Sequence, residues 1–182
     1  MLADALRHKY AVPAFNFFNL ETLSAILGAA RNTHSPVILA VSESALKYMG
    51  DDMLIGMIRG AGLKSRDKIA LHLDHGHSFE SCRHAIDLGF SSVMIDASKL
   101  PLSENIKLTK KVVNYAHKYK VSVEAELGII SGTEDKLTFS KEQLFTNPED
   151  AEKFVTSTNI DSLAVAIGTS HGAYKSAQKN QI

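Results

Sequence analysis

Residues 69–96 read IALHLDHGHSFESCRHAIDLGFSSVMID. Three patterns follow one another in that stretch. Ile69–Asp74 is a short, nearly continuous apolar run and predicts a buried strand. Phe79, Cys82 and Ile86 then fall at helical spacing, with Ser78 placed to cap. Ser92–Asp96 returns to a strand pattern. A strand, a helix and a strand joined this tightly make a βαβ unit, whose strands are parallel and whose crossover is right-handed.

The same alternation continues on both sides. Upstream, strands are predicted at Ala11–Phe17 and Pro36–Ser42; downstream, at Ser122–Leu127 and Ser162–Gly168. Runs this apolar suit a parallel sheet covered on both faces. Leu23, Ile26, Leu27 and Ala30 predict a helix capped by Asn19, and Leu54, Met57, Ile58 and Ala61 another. Leu108, Val112, Tyr115, Ala116 and Tyr119 form a stripe on a longer helix, whose 104–111 portion reads as a solvated, charged face. Asn147-Pro148-Glu149 is a start signal: a cap, proline at the first helical position, then an acid. A short helix leads at about residues 2–9. Gly128–Phe145 is the one long connection, read as a lid or a disordered excursion.

Six βα units fit either an open doubly wound sheet or an incomplete (β/α)₈ barrel, which needs eight strands and typically ~250 residues. The polar tail 176–182 carries no further strand, and residues 1–182 read as a single domain. Twenty basic and twenty acidic residues cancel, so no field points to nucleic acid or an anionic membrane. No apolar run approaches the ~20 residues needed to span a bilayer. One cysteine, Cys82, cannot form an internal disulfide; its place on an apolar helix stripe reads as core, and a cytoplasmic location is expected.

The chemistry lies at the strand ends. Asn16 closes the first strand, Ser42 the second, Asp74-His75 the third, Asp96 the fourth, and Glu124 and Glu126 the fifth; His171 follows the sixth. Ligands of parallel α/β folds bind beyond these carboxyl ends. Alternation puts His72 and Asp74 on one face, with His75 at the turn, able to swing over the strand end. A carboxylate beside an imidazole either orients a metal ligand or carries protons itself. His77 reads as a solvated turn residue, and His8, His34, His84 and His117 as surface residues. A P-loop and a G-x-S-x-G elbow are both absent.

The blocks AFNF (14–17), KYMG (47–50), HLDHG (72–76), SVMIDAS (92–98), SVEAELG (122–128) and SLAVAIGTSHGAYK (162–175) resemble the class II, zinc-dependent fructose-bisphosphate aldolases, with their tagatose-bisphosphate relatives. The resemblance implies the barrel over the open sheet. It implies that His75 and His171 ligate Zn²⁺, with Asp96 and Glu126 near an alternative metal position and room for a second divalent or monovalent cation. Asp74 is implied as the proton shuttle at the C4 oxygen, and Glu134 as the acid/base on the dihydroxyacetone phosphate carbon. Gly172 and Lys175 fall where the family contacts a phosphate, and Asn16 and Ser42 where it lines the substrate pocket. Ser44 departs from the glycine common there. The family continues beyond the Lys175 block, so strands seven and eight and a third zinc histidine are expected to be missing.

The activity implied is reversible aldol cleavage of a ketose 1,6-bisphosphate, fructose 1,6-bisphosphate first, to dihydroxyacetone phosphate and glyceraldehyde 3-phosphate. A homodimer or homotetramer is implied as well. Two alternatives stand beside it. One is a catalytically incompetent fragment or metal-binding scaffold, since catalytic zinc normally has three protein ligands. The other is a sugar-phosphate isomerase or epimerase of the same fold class.

Overall fold

The structure, a computed structural model, describes residues 1–61, 68–128, 131–134, 137–138, 145–168 and 170–171, with 131–134, 137–138 and 170–171 described by their backbone alone. The main elements are α1 (Leu2–His8), β1 (Ala14–Asn16), α2 (Leu20–Asn32), β2 (Val37–Ser42), α3 (Glu43–Met49), α4 (Asp51–Gly60), β3 (Ile69–Gly76), α5 (Phe79–Asp87), β4 (Ser92–Ile95), α6 (Leu102–Ala116) and β5 (Ser122–Leu127). Then follow β6 (Ser131–Glu134), β7 (Leu137–Thr138), α7 (Pro148–Thr158), β8 (Ser162–Val165) and β9 (Ser170–His171).

Six strands form one sheet in the order β1-β2-β3-β4-β5-β8, and every neighbouring pair is parallel. That order never reverses. A doubly wound sheet needs a reversal to place helices on both faces. With right-handed crossovers, a monotonic order sends every helix to the same side, and the sheet curls into a half-barrel. This is the incomplete barrel, and the open-sheet alternative is excluded.

The two faces of the sheet differ accordingly. Val37, Leu39, Val41, Leu71, Leu73, Val93, Ile95, Val123 and Ala125 join Leu23, Leu27, Leu54, Cys82, Ile86, Val112 and Phe154 of the helices in one apolar core. Side chains at the intervening strand positions face the concave side. There, Ala40, His72 and Ser92 stand at one level of the register, and Ser42 pairs with Asp74 one level higher. Cys82 is fully buried, and burial pushes its thiol up to about 12, which keeps it protonated as a small apolar residue.

The caps act where the sequence places them. The Asn19 side chain accepts from the Thr22 N–H, Ser78 and Ser81 form a reciprocal capping box, and Asn147 accepts from the Glu149 and Asp150 N–H groups. Three features extend or differ from the sequence reading. Helix α3 is an element the sequence patterns do not mark; it is capped by the Ser42 hydroxyl, which accepts from the Ala45 N–H. The expected stripe of α6 holds at Val112 and Ala116, with Leu108 and Tyr115 packed against the core; the buried face also takes in Asn105, Thr109 and Val113, whereas Tyr119 is exposed. Among its described residues the 128–145 connection includes β6 and β7: β6 pairs antiparallel with β7 and parallel with β9, so Gly132 lies opposite His171. The tail 176–182 lies outside the described residues.

The third strand also runs longer than Ile69–Asp74, and it is irregular. Leu73 pairs with Val93, but Gly76 pairs with Ile95, so β3 carries one more residue than β4 over this interval. This is a β-bulge, and His75 sits in it with a left-handed backbone, φ +48°. Gly76 follows at a place with no room for a side chain. A Cβ there would come 2.7 Å from the Met94 carbonyl oxygen and 2.9 Å from Leu73 Cδ2. That close approach lets the Asp96 N–H donate to the Gly76 carbonyl at 2.9 Å, fastening the ends of β3 and β4 together.

Below the bulge, the His72 ring is buried, with Nδ1 2.8 Å from Ser92 Oγ and Nε2 3.7 Å from Glu124 Oε2. Burial lowers its pKa from 6.5 to about 4, against the opposing pull of Asp74. The unfolded ring therefore takes up a proton first, so stability is full above about pH 6.5 and falls as the pH drops towards 4.

Two outcomes are expected in urea unfolding. Gly76→Ala destabilises the fold by about 1–3 kcal/mol, because the backbone must move to admit a methyl group. The unfolding free energy of the native chain declines by about 3 kcal/mol more than that of His72→Gln between pH 7 and pH 4; parallel pH profiles would contradict this.

Candidate metal and proton-transfer site

At the carboxyl end of the sheet the bulge brings Asp74 and His75 to the same side. His75 Nδ1 is 3.0 Å from Asp96 Oδ2 and 3.7 Å from Glu126 Oε2, while Nε2 is 4.0 Å from Asp74 Oδ1. A carboxylate can only accept, so Nδ1 carries the hydrogen toward Asp96, and in that tautomer Nε2 bears the lone pair. Asp74 is held from its other side: Asn16 Nδ2 donates to Asp74 Oδ2 at 2.7 Å. The sequence placed His75 in a turn; it lies within β3, and the bulge rather than a swinging turn aims its ring.

The electrostatics follow from burial and partners. Burial by itself raises the Asp96 pKa, but the bond from His75 and those from the Ser98 hydroxyl and backbone N–H outweigh it, holding the carboxyl well below the usual carboxylate range. Asp96 is thus a fixed anion. One level lower, burial and the neighbouring Asp74 raise the Glu124 pKa, while His75 opposes them.

His75, Asp96 and Glu126 each offer a ligand atom, all within 4.8 Å of one another. One imidazole and two carboxylates, mostly buried, match the donor preferences of a divalent transition metal, and this set could hold one. It supplies three donors without His171.

Beside Asp74, a cavity of about 560 Å³ is lined by Asn16, Phe17, Phe18, Ser42, Ser44, Ala45 and Tyr48. Ser42 therefore serves twice, as the cap of α3 and on the wall of this cavity. Asn16, Ser42, Asp74, His75, Asp96 and Glu126 thus gather at one end of the sheet. Glu134 and His171 are described by backbone alone, in β6 and β9, and Gly172 and Lys175 lie outside the described residues. His8, His34, His77, His84 and His117 are exposed, as expected. The His77 N–H donates to Glu43 Oε1 at 2.7 Å, tying α3 to the end of β3.

Several supporting residues were not singled out from sequence. Ser98 grips Asp96 through both its hydroxyl and its N–H. Asn105 and Thr109 lie behind β5, fully buried. Thr146 joins the ends of β5 and β8: its hydroxyl donates to the Leu127 carbonyl and accepts from the Ala166 N–H. A signal existed for Asn105 and Thr109, because their spacing with Val112 and Ala116 continues the helix's buried stripe.

Comparison with known proteins agrees with this arrangement. The family model described as "Fructose-bisphosphate aldolase class-II" matches residues 1–182. The chain is 50% identical over 182 residues to the fructose-bisphosphate aldolase of Geobacillus stearothermophilus, covering 98% of this chain and 63% of that protein. It is 49% identical over 177 residues to that of Helicobacter pylori, covering 96% of this chain and 58% of that one. Among solved structures, the YdjI aldolase from Escherichia coli K12 superposes with a TM-score of 0.84 at 35% identity, over 98% of this chain and 62% of that chain. The fructose-bisphosphate aldolase of Campylobacter jejuni gives a TM-score of 0.71 at 27% identity, over 96% and 57% of the two chains. The chain therefore spans about three fifths of the length of the relatives it matches. Singly wound parallel strands, a bulged HLDHG strand and a carboxylate–imidazole cluster at their ends agree with the family match over all 182 residues, and the chain belongs to the class-II fructose-bisphosphate aldolase family.

Proposed function

We propose that this site carries out metal-dependent, reversible aldol cleavage of fructose 1,6-bisphosphate to dihydroxyacetone phosphate and glyceraldehyde 3-phosphate. The observation that carries the reading is the 4.0 Å separation between Asp74 Oδ1 and His75 Nε2, which sets a proton acceptor beside a candidate metal site. Cleavage breaks the C3–C4 bond. The C4 hydroxyl gives up its proton as C4 becomes an aldehyde, and the electron pair remains on the C3 fragment until that carbon is protonated. Asp74 takes the C4 proton and returns it in condensation, with Asn16 fixing the carboxylate through Oδ2 so that Oδ1 faces the reacting side.

Zinc is the proposed ion, and when bound it supplies Lewis acidity at the ketone and hydroxyl oxygens. His75 is the first ligand in this reading and His171 the second, with Asp96 and Glu126 completing or exchanging with that set. Asp96 orients the His75 ring through Nδ1 and keeps the Nε2 lone pair available. Glu134 is proposed to protonate the C3 fragment, and Gly172 and Lys175 to bind a phosphate. Ser42 and Asn16 line the pocket beside Asp74, where the cavity has room for the aldehyde half. Among the described residues no helix is long and apolar enough to cross a membrane. A cytoplasmic homodimer or homotetramer acting on sugar phosphates is the setting this reading implies.

A second reading is a half-barrel that binds the metal without turnover. It is favoured by β1, whose three residues are all exposed along the outer edge of the sheet.

The two readings separate in a single experiment on the purified chain, with zinc content and fructose 1,6-bisphosphate cleavage measured together. Aldolase action requires cleavage that a chelator abolishes and zinc restores. Asp74→Asn is then expected to lower kcat by about 10²–10⁴ with zinc content unchanged, and His75→Ala to lose zinc and activity together. Zinc retained without cleavage would establish the second reading, and cleavage insensitive to chelator would overturn both.

A further inference from the structure

The convex side of β5 holds a polar contact that the packing of an apolar helix does not require. Asn105 and Thr109 lie on the inward face of α6, each fully buried, among Val112, Val113 and Ala116. Both residue types are indifferent helix formers, and a buried amide is unfavourable unless its hydrogen bonds are made. Here they are made in series. Thr109 Oγ1 donates to Asn105 Oδ1 at 3.1 Å, and Asn105 Nδ2 donates to the Glu126 carbonyl at 3.0 Å. The strand fixes the amide: the Glu126 carbonyl can only accept, so the NH₂ group faces it, and the amide oxygen is left to accept from the threonine hydroxyl.

The place where this donor lands is the end of β5. On one edge the β4–β5 ladder stops at the Ile95–Ala125 pair, one residue before Glu126, while on the other edge β5 stays paired with β8 through Glu126–Ala164 and Leu127–Val165. From Glu126 the backbone is gripped from behind by Asn105, and the side chain projects forward into the cluster, Oε2 3.7 Å from His75 Nδ1. We propose that Asn105, oriented by Thr109, is a positioning residue for Glu126: it holds the edge of β5 that β4 no longer pairs, while β8 pairs the opposite edge, so that the carboxylate stays beside His75 and Asp96. This rests on the reading of that cluster as a metal site. Asn105 touches neither metal nor substrate and acts through the Glu126 backbone. An apolar residue at 105 would fill the space but leave the carbonyl without this donor, and the β4-facing edge of the strand would shift.

The test uses the whole chain and Co²⁺ as the probe, read by its d–d absorption, with Asn105→Leu, Thr109→Val and Val112→Ala compared. Val112→Ala opens a cavity on the same helix face and controls for lost stability, which is followed by thermal unfolding. Asn105→Leu is expected to weaken Co²⁺ binding at least tenfold (by ~1.4 kcal/mol or more) and to change the band shape. Thr109→Val moves affinity in the same direction by a smaller factor, and Val112→Ala leaves it within twofold despite a lower Tm. Unchanged affinity in Asn105→Leu, or an equal loss in Val112→Ala, would overturn the proposal. The metal reading itself fails if the native chain shows no Co²⁺ signal that His75→Ala removes. In that case the imidazole resonances of His75 in the metal-free chain decide the positioning role. A shift in Asn105→Leu that is absent from Val112→Ala sustains it, and identical spectra end it.

Discussion

One extra residue in β3 governs the site. Strict alternation would send Asp74 to the concave side and His75 to the helices. Because β3 runs three residues from Leu73 to Gly76 while β4 runs two from Val93 to Ile95, both side chains reach the concave side. The left-handed backbone at His75 is unfavourable by about 1–2 kcal/mol for a residue with a Cβ. The ring's bond to Asp96 and the backbone bond from Asp96 to Gly76 hold it there. Gly76 is needed for contact rather than for a turn: the Met94 carbonyl occupies the space a methyl group would take.

From that bulge the remaining parts are arranged in tiers. His75, Asp96 and Glu126 form the upper tier, and Asp74 stands beside them on the Asn16 amide. His72, Ser92 and Glu124 lie beneath, with His72 kept neutral by burial. The tiers differ in charge state for a physical reason. Asp96 has three donors and stays ionised, whereas burial and the nearby Asp74 work against ionisation of Glu124. Negative charge is thereby concentrated at the mouth of the half-barrel, where a divalent cation would neutralise it, and is disfavoured in the layer below.

The sequence is legible wherever a local rule decides the outcome. The βα order, the caps at Asn19, Ser78 and Asn147, the burial of Cys82 and the inward pairing of His72 with Asp74 all rest on spacing within a few residues. The choice between sheet types came from the HLDHG and GTSHG resemblance and from strand order, because βα repetition alone suits both. Features set by two distant segments stayed hidden. The bulge depends on where β4 ends relative to β3. Helix α3 was masked because Ser42 both finishes a strand and caps a helix. Asn105 and Thr109 are hidden in an apolar pattern because they are polar residues at buried-stripe spacing.

The unreversed strand order also bears on how the sheet can be built. In the six-stranded sheet each strand pairs with its immediate predecessor in that sheet, so no pairing waits for a segment synthesised much later. A nascent polypeptide can add one βα unit at a time as it leaves the ribosome, each new strand finding a template already laid down. Among the described residues, only the small β6–β9 ladder departs from this, closing a contact across α7 and β8. Vectorial assembly of this kind keeps the entropy of each loop closure low and leaves a single growing edge to be shielded.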